Sequence, residues 1–163
     1  MTEEPIEQDL LDKAYDLYFS DDYDDLEILL RPFICSYNVH IKYLQSYCTH
    51  DDGNRILSSE EADKEWVEFL HECAENEVAD AMYHLAIHYW NGEDVEKNEA
   101  KAAEFFEKAA KLGHGASILA HGKNLYYGLF GLDRDLENGL DFMKKAVDIG
   151  VESAEYEYAK ANQ

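Results

Sequence analysis

Seven histidines and 36 acidic side chains in 163 residues make metal ligation and acid–base catalysis the first chemistries to consider. His84 and His88 stand four apart, so on a helix both rings can share a face, as two imidazoles on one zinc ion do. His71-Glu72-Cys73-Ala74-Glu75 opens like a zinc-protease helix, but Glu75 stands where the second histidine is needed, and the pattern fails. Carboxylates are numerous enough for pairs at any spacing to arise by chance, and none sits in an apolar setting that would raise its pKa. The glycines form neither G-x-G-x-x-G nor G-x-x-x-x-G-K-[ST], and the serines lack a nucleophile elbow. Cys35, Cys48 and Cys73 lack a basic neighbour that would favour a thiolate. The expectation is a chain that is not an enzyme and holds no metal or cofactor, with structural or partner-contacting histidines.

Aromatic side chains remain, among them Tyr83, Tyr89, Trp90, Phe105, Phe106 and Tyr127, and an internal repeat sets them in phase. Glu104–Gly113 lies over Asp141–Gly150 at an offset of 37, matching in kind except for the charge sign at Glu107/Lys144 and Lys111/Asp148; Glu68–Glu75 falls under the same pattern at an offset of 36. Between these lie Ala81–Gly92 and Ser117–Gly128, also 36 apart. Each has apolar residues at helical spacing and ends in a glycine that can take the left-handed conformation closing a helix. The period reads helix, turn, helix, turn. The connection after Gly128 is longer by one residue than the one after Gly92, which turns 36 into 37. Small residues, Ala81, Ala86, Ala109, Ala110, Gly122, Ala146 and Ala154, recur where two helices must approach closely.

An alanine-rich helix, the pattern L-[AG]-x-x-Y-x-x-G seen in Leu85–Gly92, a short loop, and A-x-x-[FW]-[FY]-x-K-A-A-x-x-G seen in Ala102–Gly113 resemble the Sel-like repeat, a relative of the tetratricopeptide solenoids. The likeness runs over residues 68–160, is looser over 36–67 and faint over 8–35. It implies an all-α, right-handed α-solenoid of helix-turn-helix repeats, an α/α superhelix whose inner helices line a concave surface. Residues outside the packing register on those helices are then the expected contacts for a protein partner: Tyr83, His84, Ile87, His88 and Trp90 in one repeat, with Ala120, Lys123, Asn124 and Tyr127 in the next. Aromatic anchors suit such an interface.

The expected organisation has three parts. Residues 1–35 hold capping helices, Leu10–Phe19 and Leu26–Phe33, the second capped by Ser20, Asp21 or Asp22. Residues 36–75 form a degenerate repeat: a helix from Tyr37 to Cys48, the polar loop Thr49–Asn54, and Ala62–Glu75, with Glu77 where a glycine belongs. Residues 76–163 carry the Sel-like repeats and a C-terminal capping helix, Ser153–Ala161.

Hydrophobic residues at 46% and only two prolines fit a packed protein. Against that core stands a net charge of −22, with 20 acids and 5 bases in residues 1–75 and 16 acids and 9 bases in 76–163. Such a field repels nucleic acid and anionic membrane, and it serves either to keep the chain soluble or to steer a basic protein into place. Three cysteines without a C-x-x-C pair point to reduced thiols; with no apolar leader or membrane span, a cytoplasmic protein is expected. Two functions follow from the resemblance: an acidic inhibitor or immunity protein that neutralises a basic toxin or effector enzyme, or an adaptor in a signalling or assembly complex. A nucleic-acid mimic is a third.

Overall fold

The computed structural model describes residues 8–30, 38–45 and 59–162, and every regular element among them is an α-helix. The chain divides into two compact units, Met1–Ile56 and Leu57–Gln163.

In the first unit lie α1 (Gln8–Phe19), α2 (Tyr23–Leu30) and α3 (Val39–Gln45). Apolar residues at four-residue spacing, Ala14 with Tyr18 and Leu26 with Leu30, are buried together with Ile41, Tyr43 and Leu44, one stripe per helix. Of the three expected caps it is Asp22 that closes α2, its carboxylate accepting from Asp25 N–H at 3.3 Å, and the helix therefore begins three residues before Leu26. Asn38 caps α3 through the N–H groups of His40 and Ile41. Cys35 and Cys48, the end of the expected Leu26–Phe33 helix and the Thr49–Asn54 loop lie outside the described residues.

The second unit holds α4 (Ser59–Glu75), α5 (Ala79–Asn91), α6 (Glu99–Lys111), α7 (Gly115–Tyr127), α8 (Leu136–Asp148) and α9 (Ala154–Ala161). Each packs against its chain neighbours, forming an all-α helical repeat solenoid. The segments read as one degenerate repeat, α3 and α4, fall in different units.

The predicted small residues are where the helices meet: Ala81, Ala86, Ala109, Ala146 and Ala154 are fully buried. A Cβ on Gly122 would stand 2.9 Å from Met143 N, and one on Gly139 would stand 2.7 Å from Tyr126 N, so two glycines let α7 and α8 touch backbone to backbone. Gly92 and Gly128 close α5 and α7 in the left-handed region, at φ 76° and 67°, as their positions predict. Asn98 and Asp135 cap α6 and α8, accepting from Lys101 N–H at 3.0 Å and Asn138 N–H at 3.1 Å.

Candidate protein-interaction groove

Alternate helices of the second unit are tied side by side by polar contacts that span about one repeat. His114, the residue before α7, accepts from the Ser117 N–H at its Nδ1 (3.2 Å), which assigns the ring proton to Nε2. That Nε2–H donates to Asp80 Oδ1 on α5 at 3.0 Å, and the ring lies 4.7 Å from that of Tyr83. One repeat further on, Lys123 of α7 donates to Glu157 of α9 at 2.9 Å, and Tyr126 O–H donates to the Ala161 carbonyl at 2.6 Å. Between these ties runs a groove of about 440 Å³ lined by Tyr83, Ala116, Leu119, Ala120, Lys123 and the Val151–Ser153 turn.

Ser117, His114 and Asp80 make a hydroxyl–imidazole–carboxylate chain, with Ser117 Oγ 2.9 Å from His114 Nδ1. Its chemistry is that of a clasp. Ser117 is 0% exposed, out of reach of any substrate, and the imidazole lone pair that would take its proton already serves the backbone of α7. This cluster lies outside the residues that the sequence singles out. Val78, His114 and Val151 occupy one register position, and a histidine between two valines is the signal that would have marked it.

The predicted contact residues separate into three sets. Tyr83, Ala120 and Lys123 line the groove. His84, half-buried, sits 3.7 Å from Asp80; burial holds its pKa below the usual imidazole value, with Asp80 opposing and His114 and His88 adding to the effect. Ile87, partly buried, lies three residues further along α5, and the two border the groove set without lining the groove. A second set lies away from the groove lining. His88 does not join His84 but turns to its own loop, 3.0 Å from the Glu93 carbonyl and 3.5 Å from Asp94. Trp90 packs edge-on against Phe130 in the connection after α7, and Tyr127 is exposed at the end of that helix. Asn124 is the correction. It is 4% exposed, one helical turn beyond buried His121, and its Nδ2 has no hydrogen-bond partner among the described residues; it belongs to the packed flank of α7 and is too buried to meet a docking protein. Among the described residues no group of three or more histidine, cysteine or carboxylate side chains is arranged to hold a metal ion, and no helix is long and apolar enough to cross a membrane.

Two helix pairs of the second unit also match a known pattern. The Sel1 repeat matches residues 79–114 and 116–151. The two matched segments hold α5 with α6 and α7 with α8, and the groove opens on their first helices. The chain is similar in fold to a Sel1 repeat protein from Oxalobacter formigenes, at 24% identity and TM-score 0.59 over 94% of this chain and 98% of that one. It is similar also to Helicobacter pylori cysteine rich protein B, at 19% identity and TM-score 0.54 over 92% and 96% of the two chains. A third likeness is to a protective antigen present in uropathogenic Escherichia coli strains displaying an SLR fold: 19% identity, TM-score 0.60, 93% of this chain but 36% of that one. No curated protein matches the sequence. Sel1 repeats generally serve as protein-interaction scaffolds and are typically non-catalytic.

Proposed function

We propose that this chain is a non-enzymatic, cytoplasmic protein-binding solenoid that draws a basic partner to its acidic surface, and that it acts as an inhibitor or immunity protein against a basic toxin or effector enzyme. The observation that carries the reading is the groove: its walls are fixed by Asp80–His114 and Lys123–Glu157, while Tyr83 and Ala120 face its open space in a chain of net charge −22. A pre-formed surface loses little conformational entropy on binding. Carboxylates raise the encounter rate with a cation-rich partner, and Tyr83, His84, Ile87 and Lys123 supply short-range contact.

The test is capture of partners on the tagged chain from its native cell, followed by binding kinetics at several salt concentrations. The inhibitor reading expects one basic protein, stoichiometric and held at nanomolar Kd or tighter. Its association should slow between low and physiological salt, where the Debye length shortens to about 8 Å, with dissociation little changed. Tyr83→Ala should speed dissociation without unfolding the chain. Several partners held at micromolar affinity would replace the inhibitor by an adaptor, and an acidic partner or salt-indifferent association would remove the steering role.

A further inference from the structure

We propose that the end of α5 and the α7–α8 connection form a second docking site, a ridge that takes a basic amphipathic helix of a protein partner. The connection after α5, Gly92–Asn98, is polar, as a turn between surface helices ordinarily is. Its counterpart after α7 instead begins Gly128-Leu129-Phe130-Gly131-Leu132. Leu129 is 42% exposed, Leu136 45% and Trp90 44%. Scattered exposed apolar side chains need no explanation, but here Phe130 touches Trp90 and adjoins Leu129 in the chain, with Leu136 at the far end of the same connection, and a group of this kind marks a contact site.

The ridge is built rather than loose. Phe130 holds φ 58° between Gly128 at 67° and Gly131 at 77°, a conformation a bulky residue rarely adopts. It thereby brings its ring 5.7 Å from Trp90 and parallel to Phe106. Leu129 N–H donates to Asn124 O at 2.9 Å and Asp135 N–H to Leu125 O at 2.8 Å, while Arg134 Nε donates to Tyr126 O at 3.1 Å. Each end of the connection is thus pinned to α7. A rigid aromatic knob flanked by exposed leucines is the form of an interface anchor.

Charge selects the occupant. The two connections that frame the ridge, 92–98 and 128–135, carry five acids, Glu93, Asp94, Glu96, Asp133 and Asp135, against Lys97 and Arg134. Lys97 is already paired with Glu99 at 3.2 Å. A second copy of this chain would set acid rim against acid rim, which repels. An apolar helix face bordered by lysine or arginine meets both the leucines and the carboxylates. The ridge shares no lining residue with the groove, so the two sites can be tested apart.

The experiment uses the full chain with Trp66→Phe, which leaves Trp90 as its one tryptophan. The probe is a synthetic leucine–lysine amphipathic peptide of about five helical turns, with a leucine–glutamate peptide as control. The lysine peptide should shift Trp90 emission to the blue in a saturable, salt-weakened titration. Leu129→Ser with Leu136→Ser should weaken binding at least tenfold at unchanged helicity, and Tyr83→Ala in the groove should leave it unchanged. Should the double variant lose helicity, Leu136→Lys alone decides, with the same tenfold loss expected. Undiminished binding by these ridge variants, equal binding of the glutamate peptide, or an unresponsive Trp90 would overturn the ridge. Loss of binding in Tyr83→Ala would overturn it too and place the peptide in the groove.

Discussion

Glu77, Gly113 and Gly150 stand at the same register position after α4, α6 and α8, and all three have positive φ, at 62°, 93° and 76°. The repeat therefore demands a left-handed residue there, and Glu77 meets the demand with a Cβ that this region penalises by about 1–2 kcal/mol. Glu77→Gly should raise stability by about 1 kcal/mol, less than the full strain because glycine also loses more freedom on folding; chemical denaturation of the two forms measures it, and an unchanged midpoint would refute strain at Glu77. The opposite case is Gly139. Alanine there would place a Cβ 2.7 Å from Tyr126 backbone nitrogen, and since backbone cannot give way cheaply the cost should be about 1–3 kcal/mol. Residues with a backbone role were thus legible: a glycine recurring at a fixed period announces a φ, and a missing one can be named. Asn124 shows the limit of such reasoning: apolar spacing along α7 does not mark it for the interior, yet α7 lies between α6 and α8 and the residue is buried.

Among the elements, the repeat period fixed which stretches were helices, and capping fixed their ends. Leu10–Phe19 and Ala62–Glu75 differ from α1 and α4 by two or three residues at one end, the margin within which terminal turns are set by caps rather than apolar spacing. What the period could not show is how one repeat is tied to the next. Asp80 and Glu157 are two of 36 acids, and nothing local distinguishes them; their roles come from partners 34 residues away. The Asp80–His114 tie is testable against the chain's own alternative, since valine occupies the His114 position in the neighbouring repeats. His114→Val removes a side-chain cap, ordinarily about 0.5–2 kcal/mol, and takes one partner from buried Asp80, so it should destabilise. Asp80→Val should destabilise as well, and the double variant should fall short of the sum by about 0.5–3 kcal/mol, as contacting residues do. Additive losses in denaturation would mean that the two side chains act separately.

At the scale of the whole molecule, two titrating populations oppose one another. A net charge of −22 repels itself in the compact state, and protonating carboxylates at low pH relieves that repulsion. The histidines act the other way and at higher pH. Burial holds His71, His84 and His121 below their usual value, so the unfolded chain binds protons that the folded chain refuses. Their contribution is present above the unfolded pKa of about 6.5 and is lost progressively as pH falls from there toward the folded values. Denaturation midpoints should therefore decline on acidification from about pH 7 to about pH 5, before carboxylate protonation begins to compensate. His121 offers the clearest separation of this effect from the general charge. Its ring is buried edge-on to Phe142 at 4.8 Å, its Nδ1 has no hydrogen-bond partner among the described residues, and Leu85 holds the same place one repeat earlier. His121→Leu removes both the titration and a buried unsatisfied nitrogen, which costs about 1–3 kcal/mol where nothing satisfies it. The variant should be more stable at neutral pH and should lose less stability than the parent between about pH 7 and pH 5. An unaltered pH slope would show that His121 does not contribute to it, and a midpoint that rises on acidification in the parent would show that carboxylate repulsion governs the whole range.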